Sequence, residues 1–272
     1  MKTWLVHDLV GAPGVTGVVD DVSNADALRE ACAALVRAGA VRVVGPMEGS
    51  TWGRYRLALP PEPGDADVPA PAFPGEPSNE PSALEPWIDA GFLPVARYAS
   101  TIVETSEVQP RPVSGDVVVR TFRPDRFEDE LRILFELSLA CFADNPWYAP
   151  IGFDAFRAMY DPWRGRIDPS FVWFAERKGG TPLGFQFSYP DPGGPGRAPG
   201  ERVVAKTIGV VPAARGTGLG GHLLDRVQAR AHETGARHVV HALMHEDNVS
   251  RTMSARRAAR VFRRYALFQW MP

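Results

Sequence analysis

The chain has 272 residues, 44% of them apolar and 23% charged, with a formal net charge of −2. That is room for one large domain or two small ones at ordinary globular composition, and the near-neutral charge argues against nucleic acid and membrane surfaces as partners. No apolar run reaches the ~18 residues of a membrane span, and the first ten residues lack the apolar core of a secretory leader, so a cytoplasmic location is expected.

In chain order, Asn24 is placed to cap a helix over Ala25–Ala38, with Leu28, Cys32, Leu35 and Val36 on one face. Gly39 ends it, and Val41–Val44 and Tyr55–Leu59 read as short strands. Residues 60–81 are dense in proline, which removes backbone donors and fixes φ, so no regular element is expected there. Leu84–Ala90 reads as a short helix stopped by Gly91, and Pro94–Val103 as a strand. A polar, proline-containing join over 104–116 divides the chain into a smaller α/β domain, 1–110, and a second domain, 111–272.

The second domain opens with a strand, Asp116–Phe122, and an amphipathic helix, Asp125–Phe142. An aromatic-rich loop, Asn145–Ile151, and a short helix, Asp154–Tyr160, come next. Phe171–Glu176 and Pro182–Tyr189 read as a hairpin closed by Gly179-Gly180. Residues 190–200 form a second proline- and glycine-rich break. Val203–Val211 then reads as a strand, Gly218–Thr234 as a helix, His238–Met244 as a strand, Asn248–Ala259 as a helix and Val261–Gln269 as a last strand. The expectation is a mixed α/β fold with an antiparallel front and a βαβ unit near its end. The two cysteines, Cys32 and Cys141, have no metal-ligand spacing. They read as buried apolar residues, and no metal is expected.

The most informative stretch is Arg215-Gly-Thr-Gly-Leu-Gly-Gly221. A strand runs into Pro212, and glycines then let the backbone turn at positive φ and approach a ligand closely. Amides of 216–221, at the positive end of a helix, make a phosphate site, with Arg215 as a neighbouring cation. Gly216, Gly218 and Gly221 also satisfy the dinucleotide fingerprint, but too little chain remains after Gly221 for that fold, and a hairpin stands upstream. The phosphate-loop pattern ending in Lys-Ser/Thr is absent.

Arg215, Gly218 and Gly220 fill [Q/R]-x-x-G-x-[G/A], preceded by Val210-Val211-Pro212. In that pattern and in element order, residues 113–270 resemble the GCN5-related N-acetyltransferase (GNAT) family. The resemblance implies a largely antiparallel sheet with helices on both faces and acetyl-CoA as co-substrate. By analogy, the backbone of Ile208, Gly209 and Val210 would hold the pantetheine arm. Gly216, Thr217, Gly218, Leu219, Gly220 and Gly221 would hold the pyrophosphate, and Asn248 would contact the coenzyme arm. The loop with Trp147 and Tyr148 would line the acceptor pocket.

Two departures stand out. The family's frequent tyrosine acid is replaced by Ala255, and its glutamate base on the signature strand is missing near Val204. The remaining candidates for proton transfer are His241, His245, Glu246, Ser254 and Tyr265, with a histidine near its free pKa the natural base. No cysteine reads as a nucleophile, so transfer is expected to be direct, to a small-molecule amine. The departures leave a non-catalytic acyl-CoA-binding protein as the rival.

Asn79 followed by a helix and Gly91-Phe92 is similar to the end of the same fold, so the first half reads as a shortened copy without the glycine turn, with an unrelated small α/β domain as the alternative.

Overall fold

The computed structural model describes residues 1–21, 24–68, 73–194 and 196–272. Pro69, Pro71 and Pro195 of the two proline-rich breaks lie outside the described residues.

Two strands the sequence reading did not assign open the fold, β1 (Thr3–Leu9) and β2 (Ala12–Val19). They form an antiparallel hairpin around Gly11, which takes φ +76°. Helix α1 (Ala25–Arg37) starts as expected, because the Asn24 side chain accepts from the Ala27 amide at 2.9 Å. It crosses to β3 (Arg42–Gly45), which runs parallel to β2. Strand β4 (Leu57–Leu59), helix α2 (Glu85–Asp89) and the long strand β5 (Leu93–Glu104) complete the first half. The described part of 60–80 contains no helix or strand.

The second half runs β6 (Val117–Thr121), α3 (Phe127–Phe142), α4 (Phe153–Tyr160), β7 (Val172–Arg177), β8 (Pro182–Pro190), β9 (Arg202–Val210), α5 (Leu219–Glu233), β10 (His238–His245), α6 (Val249–Ala255) and β11 (Arg260–Trp270). Boundaries differ from the sequence reading by a residue or two, except that α6 stops at Ala255. Its end is marked by Ala258 at φ +56°.

Among the described residues all eleven strands join one mixed, largely antiparallel sheet, ordered β1-β2-β3-β11-β5-β10-β9-β8-β7-β6, with β4 beside β11. The order repeats itself about its centre. β2–α1–β3 in the first half matches β9–α5–β10 in the second, each a parallel pair bridged by a helix. The closing strands are exchanged: β5 lies beside β10, and β11 lies beside β3.

Alternation along the strands places helices on both faces. In β9, Val203 and Ala205 face the α5 residues Leu224 and Val227, while Val204 faces the α3 residues Leu131 and Leu134. In β2, Val19 packs on Leu28, Cys32 and Leu35 of α1, and Val18 on the opposite core with Tyr98 and Tyr265. Burying such side chains contributes roughly 1.5–3 kcal/mol each. No helix among the described residues is long and apolar enough to cross a membrane.

Candidate functional site

The site grows out of the pairing of β9 and β10. Their parallel register runs from His238↔Arg202 to His241↔Ala205 and stops there. Beyond it β10 stays with β5, through an irregularity between His241 and Met244 in which Leu243 takes φ +57° and donates its amide to Ser100 Oγ at 3.0 Å. β9 instead continues along β8, pairing Ile208 with Gln186 and Gly209 with Phe185. The strands therefore part, and the edge of Ile208, Gly209 and Val210 that faces β10 has no strand partner. Gly209 is required by packing, since a Cβ there would meet Phe185 Cε1 at 2.7 Å and Cys141 Sγ at 3.0 Å.

Past β9 the chain makes a tight turn, held by the Thr217 hydroxyl donating to the Ala214 carbonyl at 2.8 Å. Gly216 and Gly218 take φ +79° and +86°, and a Cβ on either would meet nothing within 4 Å. The first helical amide hydrogen bond is His222 N–H to the Gly218 carbonyl. Among the described residues, none of the six amides of 216–221 donates to a protein acceptor. Unpaired donors at a helix start, opening on free space, fit a phosphate group.

Two residues of the turn also have packing roles within the protein. Arg215 donates to the carbonyls of Cys141 (3.0 Å) and Val210 (3.3 Å), pinning the turn to the end of α3. Gly221 is buried, and the space a side chain would take holds the Arg111 guanidinium, 2.7 Å from its Cβ position. Arg111 in turn pairs with Asp225 at 2.7 Å. Gly220 faces Met253 of α6, and Leu219 is a core residue.

A cavity of about 1420 Å³ fills the cleft between the parting strands and extends beneath the first half. Asn248 lines it and caps α6 by accepting from the Ser250 amide at 3.0 Å. Tyr148 lines it too, with a buried hydroxyl that has no partner. Trp147 does not, contrary to the sequence reading. Its φ of +66° and its amide bond to the Val10 carbonyl (2.8 Å) turn it into the core beneath β2.

The proton-transfer candidates divide into three groups. His241 and Ser254 are brought together: His241 Nδ1 lies 3.0 Å from Ser254 Oγ, which is 2.6 Å from Thr101 Oγ1. His241 lines the cavity, and its buried Nε2 has no partner. It is not the histidine near its free pKa that the sequence led us to expect. Burial, helped by the Arg257 charge, pushes it down to about 3, so it stays neutral at physiological pH. His245 and Glu246 sit at the margin. His245 meets the Tyr98 ring edge-on and accepts from the Asp247 amide at 3.2 Å, while Glu246 lies 3.6 Å from Arg264. Tyr265 is fully buried, and burial raises its hydroxyl far above the ordinary range.

The partner of Tyr265 was not foreseen. Its hydroxyl donates to Glu76, which sits in the proline-rich segment of the first half and also accepts from the Phe73 amide at 3.0 Å. Glu76 lines the cavity with its side chain 2% exposed, and burial raises its pKa above the ordinary carboxylate range. Lys206 lines the same cavity, at the point on β9 where the strands part, and donates to the Gly75 carbonyl at 3.1 Å. Burial, with the Arg56 charge, lowers it to about 7, against the attraction of Glu76. The lone charge in the run 203–211 was the available signal for Lys206. Glu76 had none beyond its place in a long loop.

A splayed parallel strand pair followed by a glycine turn is an architecture compatible with acyl transfer. Residues 132–254 match the sequence model of the acetyltransferase (GNAT) family. Among solved structures it is similar to a GCN5-related N-acetyltransferase from Sphaerobacter thermophilus, at 19% identity and TM-score 0.55 over 71% of this chain and 56% of that one. It is also similar to a GCN5-related glucosamine N-acetyltransferase region of a fungal multi-domain GH3 β-N-acetylglucosaminidase, at 13% identity and TM-score 0.57 over 98% of this chain and 31% of that one. A tandem GNAT protein from the clavulanic acid biosynthesis pathway aligns at 13% identity and TM-score 0.54, over 94% of this chain and 75% of that one. This chain thus spans about half the length of the first of these and under a third of the second. No curated protein matches it.

Proposed function

We propose that this protein is an acetyl-CoA-dependent N-acetyltransferase that acts on the amine of a small molecule by direct transfer. The observation that carries the reading is the row of amides over 216–221 that meet no protein acceptor among the described residues, a few residues beyond Ile208, which lines the cavity together with Glu76. Acetyl-CoA supplies an acyl group activated as a thioester. The amides of 216–221 hold its pyrophosphate, the unpaired edge of Ile208–Val210 its pantetheine arm, and Asn248 contacts the same arm.

Glu76 takes the base role for which the sequence offered no carboxylate. As a carboxylate it accepts a proton from the acceptor's ammonium, leaving the amine lone pair free, while Tyr265 holds it in place. The amine nitrogen bonds to the acyl carbon, the carbon–sulfur bond breaks, the nitrogen sheds its extra proton to solvent as the amide forms, and the departing thiolate takes a proton. Lys206, titrating near neutral pH, is the group on β9 that can give one. Neither cysteine lines the cavity, and burial pushes Cys32 up to about 11 and Cys141 up to about 12, which favours direct transfer over a covalent cysteine route.

We further propose that residues 1–110 are a degenerate copy of the domain in 111–272, as the repeated β–α–β order supports. Two unpaired buried cysteines suit a reducing compartment, and we place the protein in the cytoplasm.

Calorimetry with acetyl-CoA, followed by thiol release over a panel of small amines, tests the function. Coenzyme binding with turnover of at least one amine is expected. Binding without turnover on any amine would favour the non-catalytic rival, and no coenzyme binding would remove both.

A further inference from the structure

One charge in the cavity is unaccounted for. Arg56 is 9% exposed and lines the same chamber as Glu76 and Lys206. Among the described residues no carboxylate lies within ion-pair distance of it. Its guanidinium rests on the rings of Tyr55 and Tyr98, at 3.9 and 4.3 Å from their centroids. Nη1 donates to the Leu243 carbonyl at 3.3 Å, and Nε is buried with no acceptor. A buried cation without an anion is costly, and contact with aromatic faces offsets only part of that cost. The backbone adds to the expense, since Arg56 takes φ +72°, which L side chains rarely adopt. Leu243, which supplies the one acceptor, is held at φ +57°.

Other unsatisfied groups share the chamber. Among the described residues, Gln186, 1% exposed on β8, has a buried Oε1 without a donor, and the Tyr148 hydroxyl has no partner. A buried guanidinium Nε without an acceptor, a buried Oε1 without a donor and a buried carboxylate call for a ligand carrying both an oxyanion and an amine.

We propose that the acceptor is an aminocarboxylate: Arg56 receives its carboxylate, and Glu76 and Gln186 face its amine. The proposal rests on the acyl-transfer reading and deepens it. A carboxylate is favoured over a doubly charged group because one negative charge balances the single guanidinium. Its two oxygens match the free Nε side of the fork.

The test compares amine pairs that differ only by the carboxylate, with an aminophosphonate as a third arm. Each is titrated against the full chain without coenzyme and read as a shift in melting temperature. The expected result is at least tenfold tighter binding of the carboxylate member to the wild type, and loss of that preference in Arg56→Met. The unliganded Arg56→Met protein is expected to melt no lower than wild type, because a methionine keeps the backbone strain and removes the buried charge. Should Arg56→Met fail to fold, Arg56→Lys, which keeps the charge and loses the fork, carries the same comparison. Equal binding of both members of a pair, or a preference that survives substitution of Arg56, overturns the proposal. An aminophosphonate that binds as well as the carboxylate overturns the carboxylate assignment. Coenzyme binding is measured separately by calorimetry. Its absence would sink acyl transfer while leaving the carboxylate preference on record.

Discussion

Gly218→Ala separates the conformational role of the glycine turn from its role toward a ligand, with Gly235→Ala as its matched control. Gly218 takes φ +86° and Gly235 φ +79°, both are exposed, and a Cβ on either meets nothing within 4 Å. The steric cost inside the protein is therefore nil at both. What remains is the cost of holding an alanine in the left-handed region, about 1–2 kcal/mol, partly offset by the lower entropy of the unfolded chain. Both variants should lose about 1 kcal/mol, or a few degrees of melting temperature. They differ in what lies outside the protein. The space beside Gly218 is where the unpaired amides of 216–221 open, whereas Gly235 merely ends α5. A methyl group intruding there displaces at least one charge-assisted hydrogen bond of roughly 1.5–3 kcal/mol, or a ten- to hundredfold loss in affinity. Calorimetry with acetyl-CoA reads that loss and thermal unfolding reads the stability. Equal coenzyme affinity in the two variants would refute the phosphate role of the turn.

Glu76→Gln should lower kcat/KM by about 10²- to 10⁴-fold while leaving coenzyme affinity unchanged, and the acidic limb of the wild-type rate should lie above the ordinary carboxylate range. A loss below tenfold would remove Glu76 from the chemistry. His241, lowered from 6.5 to about 3, contributes stability that is fully present above pH 6.5 and is lost as pH falls through about 3. His241→Gln should thus lose less melting temperature than wild type between pH 7 and pH 4, and parallel curves would count against the burial account. Lys206, lowered from 10.5 to about 7, follows the same sign: its contribution is fully present above pH 10.5 and is lost as pH falls through about 7. Lys206→Met should flatten the stability profile between those values, and an unchanged slope would show that the lysine is not desolvated.

The glycine turn, the Asn24 cap and the strand–helix–strand order around 203–245 were legible in the sequence because each depends on neighbours a few residues apart. Positive φ calls for glycine locally, a cap oxygen reaches the amide three residues on, and alternation in β9 reveals two buried faces. The opening hairpin gave a weaker signal, because β2 carries Pro13, Gly14 and Gly17 within the strand, residues that usually mark turns. What the sequence could not hold was the company kept by residues far apart along the chain. Tyr265 and Glu76 meet across 189 positions, and Arg56 and Leu243 across 187. Those meetings follow from the exchange of β5 and β11, which sets the first half's loops over the second half's cleft. Strand exchange depends on the free energy of the whole sheet, to which no local pattern gives access. The glycine turn was therefore written in the sequence, and the cavity lining that the first half contributes was decided only by the tertiary structure.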